Sequence, residues 1–150
     1  MGSIGLRTAD KADADAIRAL TREAYAKWTP LIGREPLPMK VDYLDALTRH
    51  RFDLLYLDGD LAGLIETTPD GEWLLIENLA VRPALQGRGL GKGLLRFAEQ
   101  MAAAAGLTGV RLYTNKLFAE NLRLYTAFGY AVDREEPYLG GVTVHMTKRL

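Results

Sequence analysis

Four glycines lie within the eight residues Gln86–Gly93, whose sequence is Gln-Gly-Arg-Gly-Leu-Gly-Lys-Gly. An apolar run ending at Val81 precedes them, and Pro83 ends the predicted strand because proline cannot donate a ladder hydrogen bond. An apolar helical pattern begins near Gly89. The first N–H groups of a helix lack intrahelical partners and carry the positive end of its dipole, so they favour anions. The segment therefore predicts a phosphate site.

Charge supports an anion here, because positions 78–98 contain no Asp or Glu. The basic residues of this stretch are Arg82, Arg88, Lys92 and Arg96. Two familiar phosphate loops do not fit the spacing. A P-loop has glycine where this chain has Gln86 and a hydroxyl residue where it has Gly93. A dinucleotide-binding fingerprint starting at Gly87 fails because Lys92 replaces its third glycine.

Hydrophobic periodicity predicts the elements that position this loop. Strands are predicted at Ile4–Thr8, Phe52–Leu57, Leu61–Thr67, Glu72–Val81, Val110–Thr114, Ala131–Asp133 and Val142–Lys148. Helices are predicted at Lys11–Lys27, Val41–Thr48, from Gly89 to a stop at Gly106, and at Leu117–Phe128. Asp10 and Asp13 form a predicted capping box, Thr29-Pro30 is expected to end the first helix, and Pro69-Asp70-Gly71 is a predicted turn.

Composition indicates one globular domain, with 150 residues of which 48% are hydrophobic and 25% charged. Nucleic acid and anionic membrane surfaces are not expected partners, because 19 Lys and Arg balance 19 Asp and Glu. The absence of cysteine excludes disulfides, a thiolate nucleophile and cysteine metal sites. No membrane span or signal peptide is predicted, and we expect a cytoplasmic protein. His50 and His145 lack metal-ligand spacing, so surface or packing roles are expected.

The pattern that fits the loop is Gln-x-x-Gly-x-Gly, formed by Gln86, Gly89 and Gly91. It closely resembles the acetyl-CoA loop of the GCN5-related N-acetyltransferase (GNAT) family. A second stretch, Asn121–Tyr130, contains Leu-Tyr-Thr-Ala-Phe-Gly-Tyr and is similar to the family's Leu-Tyr-x-x-x-Gly-Phe/Tyr ending. The predicted order of elements is also the family's, so the resemblance covers nearly the whole chain.

The resemblance implies a mixed α/β fold with a mostly antiparallel sheet of six to seven strands, about four flanking helices and a V-shaped cofactor cleft. Residues 1–150 would form a single N-acetyltransferase domain. Such an enzyme transfers acetyl from acetyl-CoA directly to a primary amine of a small molecule or peptide, releasing CoA and using no metal. Two alternatives stay open: a non-catalytic acyl-CoA-binding regulatory or sensor module, and a scaffold that forms a homodimer through a sheet edge.

The resemblance also implies catalytic roles. Tyr125 would protonate the departing thiolate, a role that suits a phenol with an ordinary pKa of about 10. Glu77 interrupts an apolar strand and would be the general base; Glu66 on the neighbouring strand is the second choice. The structural alternatives are a core role for Tyr125 and an ion pair with an arginine for Glu77. Strand alternation predicts that Glu77, Leu79 and Val81 point to one face.

For the cofactor, the resemblance implies a bulge near Leu79, main-chain contacts to pantetheine from Leu79 and Val81, and pyrophosphate on N–H groups from Gly87 to Lys92. Phe118 occupies the position where many relatives carry a pantetheine-binding asparagine. Asn115 or Asn121 is expected to substitute, although Asn115 also suits a helix cap. The predicted cofactor-binding residues are Leu79, Ala80, Val81, Gln86, Gly87, Arg88, Gly89, Leu90, Gly91, Lys92, Asn115 and Asn121.

The breaker-rich segment Thr29–Val41 is expected to roof the acceptor pocket, because in relatives it joins two helices near the cleft. Arg34 and Glu35 would either select a charged acceptor or remain solvated loop residues. The expected walls of this pocket are Trp28, Tyr43 and Tyr138.

Overall fold

The computed structural model describes residues 3–150, and these contain one seven-stranded sheet; residues 1 and 2 of the predicted domain lie outside the described range. The strands are β1 (Ile4–Thr8), β2 (Arg51–Leu57), β3 (Asp60–Asp70), β4 (Trp73–Val81), β5 (Gly109–Asn115), β6 (Ala131–Tyr138) and β7 (Gly141–Arg149). Their spatial order is β1-β2-β3-β4-β5-β7-β6. Only β4 and β5 pair in parallel, which confirms the predicted mixed, mostly antiparallel sheet.

Within residues 3–150, five α-helical segments flank the sheet. They are α1 (Ala14–Tyr25), the single turn α2 (Thr29–Ile32), α3 (Tyr43–Arg49), α4 (Leu90–Ala104) and α5 (Ala119–Ala127). Gly106 and Gly129 follow α4 and α5 with positive φ angles of 72° and 97°, the conformation that ends many helices. None of these helices combines the length and apolar character needed to cross a bilayer.

The start of the first helical region matches the capping prediction. Asp10 Oδ1 accepts the Ala12 N–H at 2.9 Å, and Asp13 Oδ2 accepts the Asp10 N–H at 2.9 Å. The predicted helix at 11–27 is shorter than expected, because 3₁₀ turns occupy residues 11–13 and 26–28. Helical structure also continues beyond Thr29-Pro30, contrary to expectation. Pro30 lies in the first turn of α2, where a helix does not need its N–H.

Two strands are longer than predicted. β3 runs through Pro69 to Asp70 instead of turning there, because its β2 neighbour ends opposite Thr67 and Pro69 then lies at an edge. β6 extends to Tyr138, although the sequence indicates only its first residues. This edge strand is exposed along nearly all its length, so it lacks the period-two burial pattern by which a strand is recognised.

Two apolar clusters cover the two faces of the sheet. On one face, α4 contributes Leu94, Leu95 and Ala98 to a cluster that also contains residues of β4, β5 and α5. On the other face, α1 and α3 contribute Ile17 and Ala46. The segment after α1 and the loop before α4 contact each other beside the carboxyl end of β4, where Lys27 Nζ donates to Gln86 Oε1.

Candidate active site

Glu77 lies in a β-bulge of β4. Consecutive residues of β3 pair with Asn78 and Ile76, so Glu77 has no partner on β3. The bulge predicted near Leu79 therefore lies two residues earlier, at Glu77 itself.

The bulge separates Glu77 from the residues with which it was predicted to share a face. Leu79 and Val81 pack with the cluster under α4. Glu77 instead lines a cavity with Tyr25, which packs against the cluster on the opposite face. The predicted common face is therefore wrong, because the extra residue shifts the strand's side-chain alternation by one.

Beyond the bulge, β4 and β5 separate. They pair only between residues 73–76 and 109–112, after which β4 stays with β3 and β5 with β7. A V-shaped gap opens between them, as the resemblance implies. Its closed end is the paired part of the two strands, and its open end faces the glycine-rich loop.

Main-chain groups of β4 face this gap. The Leu79 carbonyl accepts the Tyr25 hydroxyl at 3.4 Å, and the Val81 carbonyl accepts Gln86 Nε2 at 3.1 Å. In an antiparallel pair, the N–H and C=O of one residue point to the same side. The N–H groups of Leu79 and Val81 therefore also point away from β3 and towards the gap.

The glycine-rich loop provides free donors at the open end. Gly87 and Gly89 have φ angles of 84° and 81°, and Gly89 precedes the first residue of α4. Within the described residues, the N–H groups of residues 87–92 have no backbone acceptor. A Cβ on Gly91 would lie 3.6 Å from Leu124 Cδ2 and 3.9 Å from Leu79 Cδ2, so this glycine keeps space open between them.

A first cavity of about 290 Å³ runs between this loop, β4 and the start of α5. The predicted cofactor-binding residues that line it are Leu79, Ala80, Val81, Gln86, Gly87, Gly89, Leu90, Gly91, Lys92 and Asn121. Arg88 and Asn115 do not line it. Arg88 is exposed, and Asn115 Oδ1 accepts the Leu117 N–H at 2.9 Å, which is the turn-capping alternative. Asn121 Nδ2 lies 3.4 Å from the Thr114 hydroxyl.

Side-chain contacts join the end of α1 to α5 along the wall of the first cavity. Lys27 Nζ donates to Gln86 Oε1 at 3.0 Å and to Glu120 Oε2 at 2.8 Å. The bond from Lys27 holds the pKa of Glu120 below its ordinary value. Beside it, the Trp28 and Phe118 rings stack with centroids 4.4 Å apart. Phe118, the residue at the position where the resemblance implies an asparagine, is therefore occupied in an aromatic stack.

A second, smaller cavity of about 90 Å³ shares Tyr25 with the first as a lining residue. It contains Glu77, whose Oε2 accepts the Tyr113 hydroxyl at 2.7 Å. Burial and then this bond raise the pKa of Tyr113, so its phenol stays protonated and holds the carboxylate in place.

The segment Thr29–Val41 supplies one wall of the second cavity, including Arg34. Of the three aromatic residues expected around the acceptor, Tyr138 lines this cavity and Trp28 lines the first. Tyr43 lines neither of these two cavities. It is 3% exposed and donates its hydroxyl to the Pro38 carbonyl at 2.6 Å.

Tyr125 lies in the hydrophobic core. It is 7% exposed and belongs to the cluster under α4, and it lines neither cavity directly. Burial raises its pKa to about 12, so the phenol is protonated at neutral pH. Burial also raises the pKa of Tyr25.

Glu66 occupies a different environment from Glu77. It is 5% exposed and contacts His50 Nδ1 through Oε2 at 2.6 Å. Burial raises its pKa, while the bond from His50 opposes that shift. Glu66 lines neither cavity, whereas Glu77 lines the second.

Sequence reasoning missed Tyr25, Lys27 and Glu120. Tyr25 donates to Asn78 Oδ1 at 2.9 Å and forms the shared wall of both cavities. A signal was available: Thr21, Tyr25 and Trp28 recur at spacings of four and three residues, which places them on one helical stripe beside the apolar face of α1.

The family model described as the acetyltransferase (GNAT) family matches residues 15–130. A comparison with curated proteins gives no match.

Solved structures share the whole fold. The PaiA N-acetyltransferase from Thermoplasma acidophilum in complex with coenzyme A has a TM-score of 0.84 at 20% identity and covers 99% of both chains. The ribosomal-protein-S18-alanine N-acetyltransferase from Escherichia coli has a TM-score of 0.78 at 18% identity, with 99% of this chain and 94% of that chain covered. An acetyltransferase from Thermus thermophilus has a TM-score of 0.74 at 22% identity, with 99% of this chain and 97% of that chain covered. At these identities the likeness is one of fold.

Proposed function

The chain belongs to the acetyltransferase (GNAT) family, and from that premise we propose that it transfers an acetyl group from acetyl-CoA directly to a primary amine. The donor occupies the first cavity and the acceptor occupies the second. The observation that carries this proposal is that the two cavities share Tyr25 as a lining residue, with the glycine-rich loop in one and Glu77 in the other. We also propose that residues 1–150 act as one N-acetyltransferase domain.

The fit of acetyl-CoA is supported by main-chain N–H groups that have no hydrogen-bond acceptor in the described part of the chain. The free N–H groups of residues 87–92, together with Lys92, would hold the pyrophosphate. The N–H groups of Leu79 and Val81 face the gap and would hold the pantetheine arm. Asn121 is the asparagine on the donor side and would make the side-chain contact there. When bound, acetyl-CoA supplies an acetyl group activated as a thioester.

Glu77 is proposed as the general base. Its carboxylate is the only acidic group among the residues lining the second cavity, and Tyr113 fixes its orientation. An ammonium must lose a proton before its nitrogen can attack, and a carboxylate within reach accepts that proton and releases it to solvent. As the neutral amine nitrogen bonds to the acetyl carbon, the carbon–sulfur bond breaks and the nitrogen's second proton passes to Glu77.

Tyr125 is proposed as the general acid from the family's Leu-Tyr-x-x-x-Gly-Phe/Tyr pattern; it lines neither cavity, so the proposal requires its hydroxyl to reach the sulfur once acetyl-CoA is bound. Its raised pKa keeps the hydroxyl protonated, so that it can donate to the departing sulfur. The products are an amide and the free thiol of CoA, and Tyr125 and Glu77 then exchange protons with solvent. The chain forms no covalent bond to the acetyl group; its residues align the reactants and move protons.

The test combines binding with turnover. Calorimetric titration with CoA measures the donor site, and a thiol-reactive dye follows CoA release from acetyl-CoA in the presence of an amine panel. The panel contains amino acids, polyamines, aminoglycosides and peptides with free N-termini or lysines. We expect saturable CoA binding and amine-dependent thiol release. CoA binding without release for any amine would favour the sensor alternative, and no CoA binding would refute the proposal.

A further inference from the structure

The second cavity contains one acidic and one basic side chain among the residues that line it, Glu77 and Arg34. From this pairing we infer that the acceptor is a small amine that also carries a carboxylate, an amino acid in the broad chemical sense. The inference rests on the proposed acetyl transfer and adds the substrate class. Glu77 receives the amine end and Arg34 receives the carboxylate end.

The guanidinium of Arg34 makes few hydrogen bonds within the described residues. It is half-buried, and its hydrogen bond is a long one, 3.5 Å from Nη1 to the adjacent Glu35 carbonyl. Among the described residues Arg34 has no ion-pair partner. A guanidinium presents parallel N–H groups that match the two oxygens of a carboxylate. A carboxylate that enters the cavity could therefore bind guanidinium N–H groups of Arg34 that have no ion-pair partner among the described residues.

The neighbouring Glu35 does not neutralise Arg34. Its Oε2 accepts Arg22 Nη2 at 2.8 Å, and Arg22 also donates to the Met39 carbonyl at 3.0 Å. The Glu35 side chain is thus bound to α1 through Arg22, whereas Arg34 lines the second cavity. Of the two adjacent charged residues, only Arg34 is placed to select an acceptor.

Charge and size exclude other amine classes. A polyamine would carry a second cation towards Arg34, where like charges repel, and the lining offers no second carboxylate to compensate. The cavity of about 90 Å³ is also narrow compared with the first. Pro36 and Pro38 stiffen its wall, because proline fixes the backbone φ angle. A compact amine with one anionic end fits this arrangement.

The experiment compares matched pairs of acceptors that differ only in the carboxylate. Glycine, β-alanine, 4-aminobutyrate and 5-aminovalerate vary the distance between amine and carboxylate, and n-alkylamines of equal chain length are their counterparts without the carboxylate. Putrescine and spermidine represent polyamines. For the best-spaced pair we expect the amino acid to exceed the alkylamine by about tenfold or more in kcat/KM, as one charged hydrogen-bonded pair provides.

Arg34→Gln should reduce that ratio to about one, whereas Glu35→Gln, which changes a charge outside the cavity, should preserve it. A readout independent of turnover is calorimetric binding of the amino acids to CoA-saturated protein, which should weaken in R34Q. Equal or better use of alkylamines or polyamines, or an unchanged ratio in R34Q, would overturn the inference.

If no amine is acetylated, the binding titration decides: carboxylate-dependent heat that R34Q abolishes supports the inference, and no heat overturns it. The CoA titration is made separately, and the amino acid titration is repeated without CoA. Failure of the donor site is therefore distinguished from failure of acceptor selection.

Discussion

Replacing Gly91 with alanine should stabilise the free protein and weaken its binding of CoA. Gly91 lies in the first turn of α4 without a positive φ, and the new Cβ would make ordinary contacts at 3.6 and 3.9 Å. Alanine is favoured over glycine inside a helix by up to about 1 kcal/mol. At this terminal position we expect about 0.5 kcal/mol, or a rise in Tm of about 1–2 °C.

The same methyl group would stand between Leu79 and Leu124, inside the first cavity. There it would hold a phosphate away from the N–H groups at the start of α4. Losing one charge-assisted hydrogen bond costs about 1.5–3 kcal/mol, which corresponds to a Kd weaker by about 10- to 150-fold. Stability and affinity should therefore change in opposite directions.

Gly93→Ala is the matched control. A Cβ on Gly93 meets nothing within 4 Å, and this residue does not line the cavity although it lies in the same helix. We expect a similar or larger gain in Tm and an unchanged Kd. Scanning calorimetry of the free proteins and titration calorimetry with CoA measure both quantities. CoA binding by G91A at wild-type affinity, or an equal loss in G93A, would refute the assignment of the phosphate site.

Three further predictions concern the tyrosines and the bulge. Tyr125→Phe should lower kcat by about 10²- to 10⁴-fold with little change in Tm. Because the pKa of Tyr125 is about 12, ionisation of this residue should not lower the kcat of the wild type at mildly alkaline pH. Glu77→Gln should lower kcat strongly near neutral pH and less at alkaline pH, where the acceptor has already lost its proton; a loss independent of pH would contradict a base role. Tyr25→Phe should lower the free energy of unfolding by about 1–3 kcal/mol. The substitution removes the hydroxyl that donates to Oδ1 of Asn78, a residue only 4% exposed. Tyr56→Phe removes a hydroxyl that accepts from the exposed Arg7, so it should lower the free energy of unfolding less. Equal losses in Tm for the Tyr25 and Tyr56 variants would argue against a stabilising role of the buried Tyr25–Asn78 hydrogen bond.

The glycine-rich loop and the elements around it were predictable because their signals are local. Pro83 marks the end of a strand, Gly89 marks the start of a helix, and the apolar pattern of α4 continues for several turns. The fold followed from the order of such elements. The roles given to individual residues of the loop stay predictions until binding is measured.

The bulge could not be placed from the sequence. Apolar runs precede Glu77 and follow Asn78, and one extra residue between them leaves the local pattern almost unchanged. Its position emerges only from the register with β3. The same holds for Tyr25, whose contact with Asn78 joins positions 53 residues apart.

The different roles of Arg34 and Glu35 also depend on tertiary structure. The two are adjacent in a loop without periodicity, so their sequence suggests equal exposure. Arg22 on α1 binds Glu35 and leaves Arg34 beside the cavity. Spacing along the chain does not determine which loop residue a helix will contact.

The cleft opens at a bulge in which β4 has one residue more than β3, so its opening depends on the number of residues in β4. Substituting Glu77 changes a side chain but keeps the number of peptide units, so the main chain of Leu79 continues to face the gap. Deleting one residue there would leave Leu79 opposite Ile65 but remove the bulge, so that β4 could continue its pairing along β5 and close the gap. A mutational library should therefore accept many side chains at position 77 without loss of the folded cleft, and no deletion.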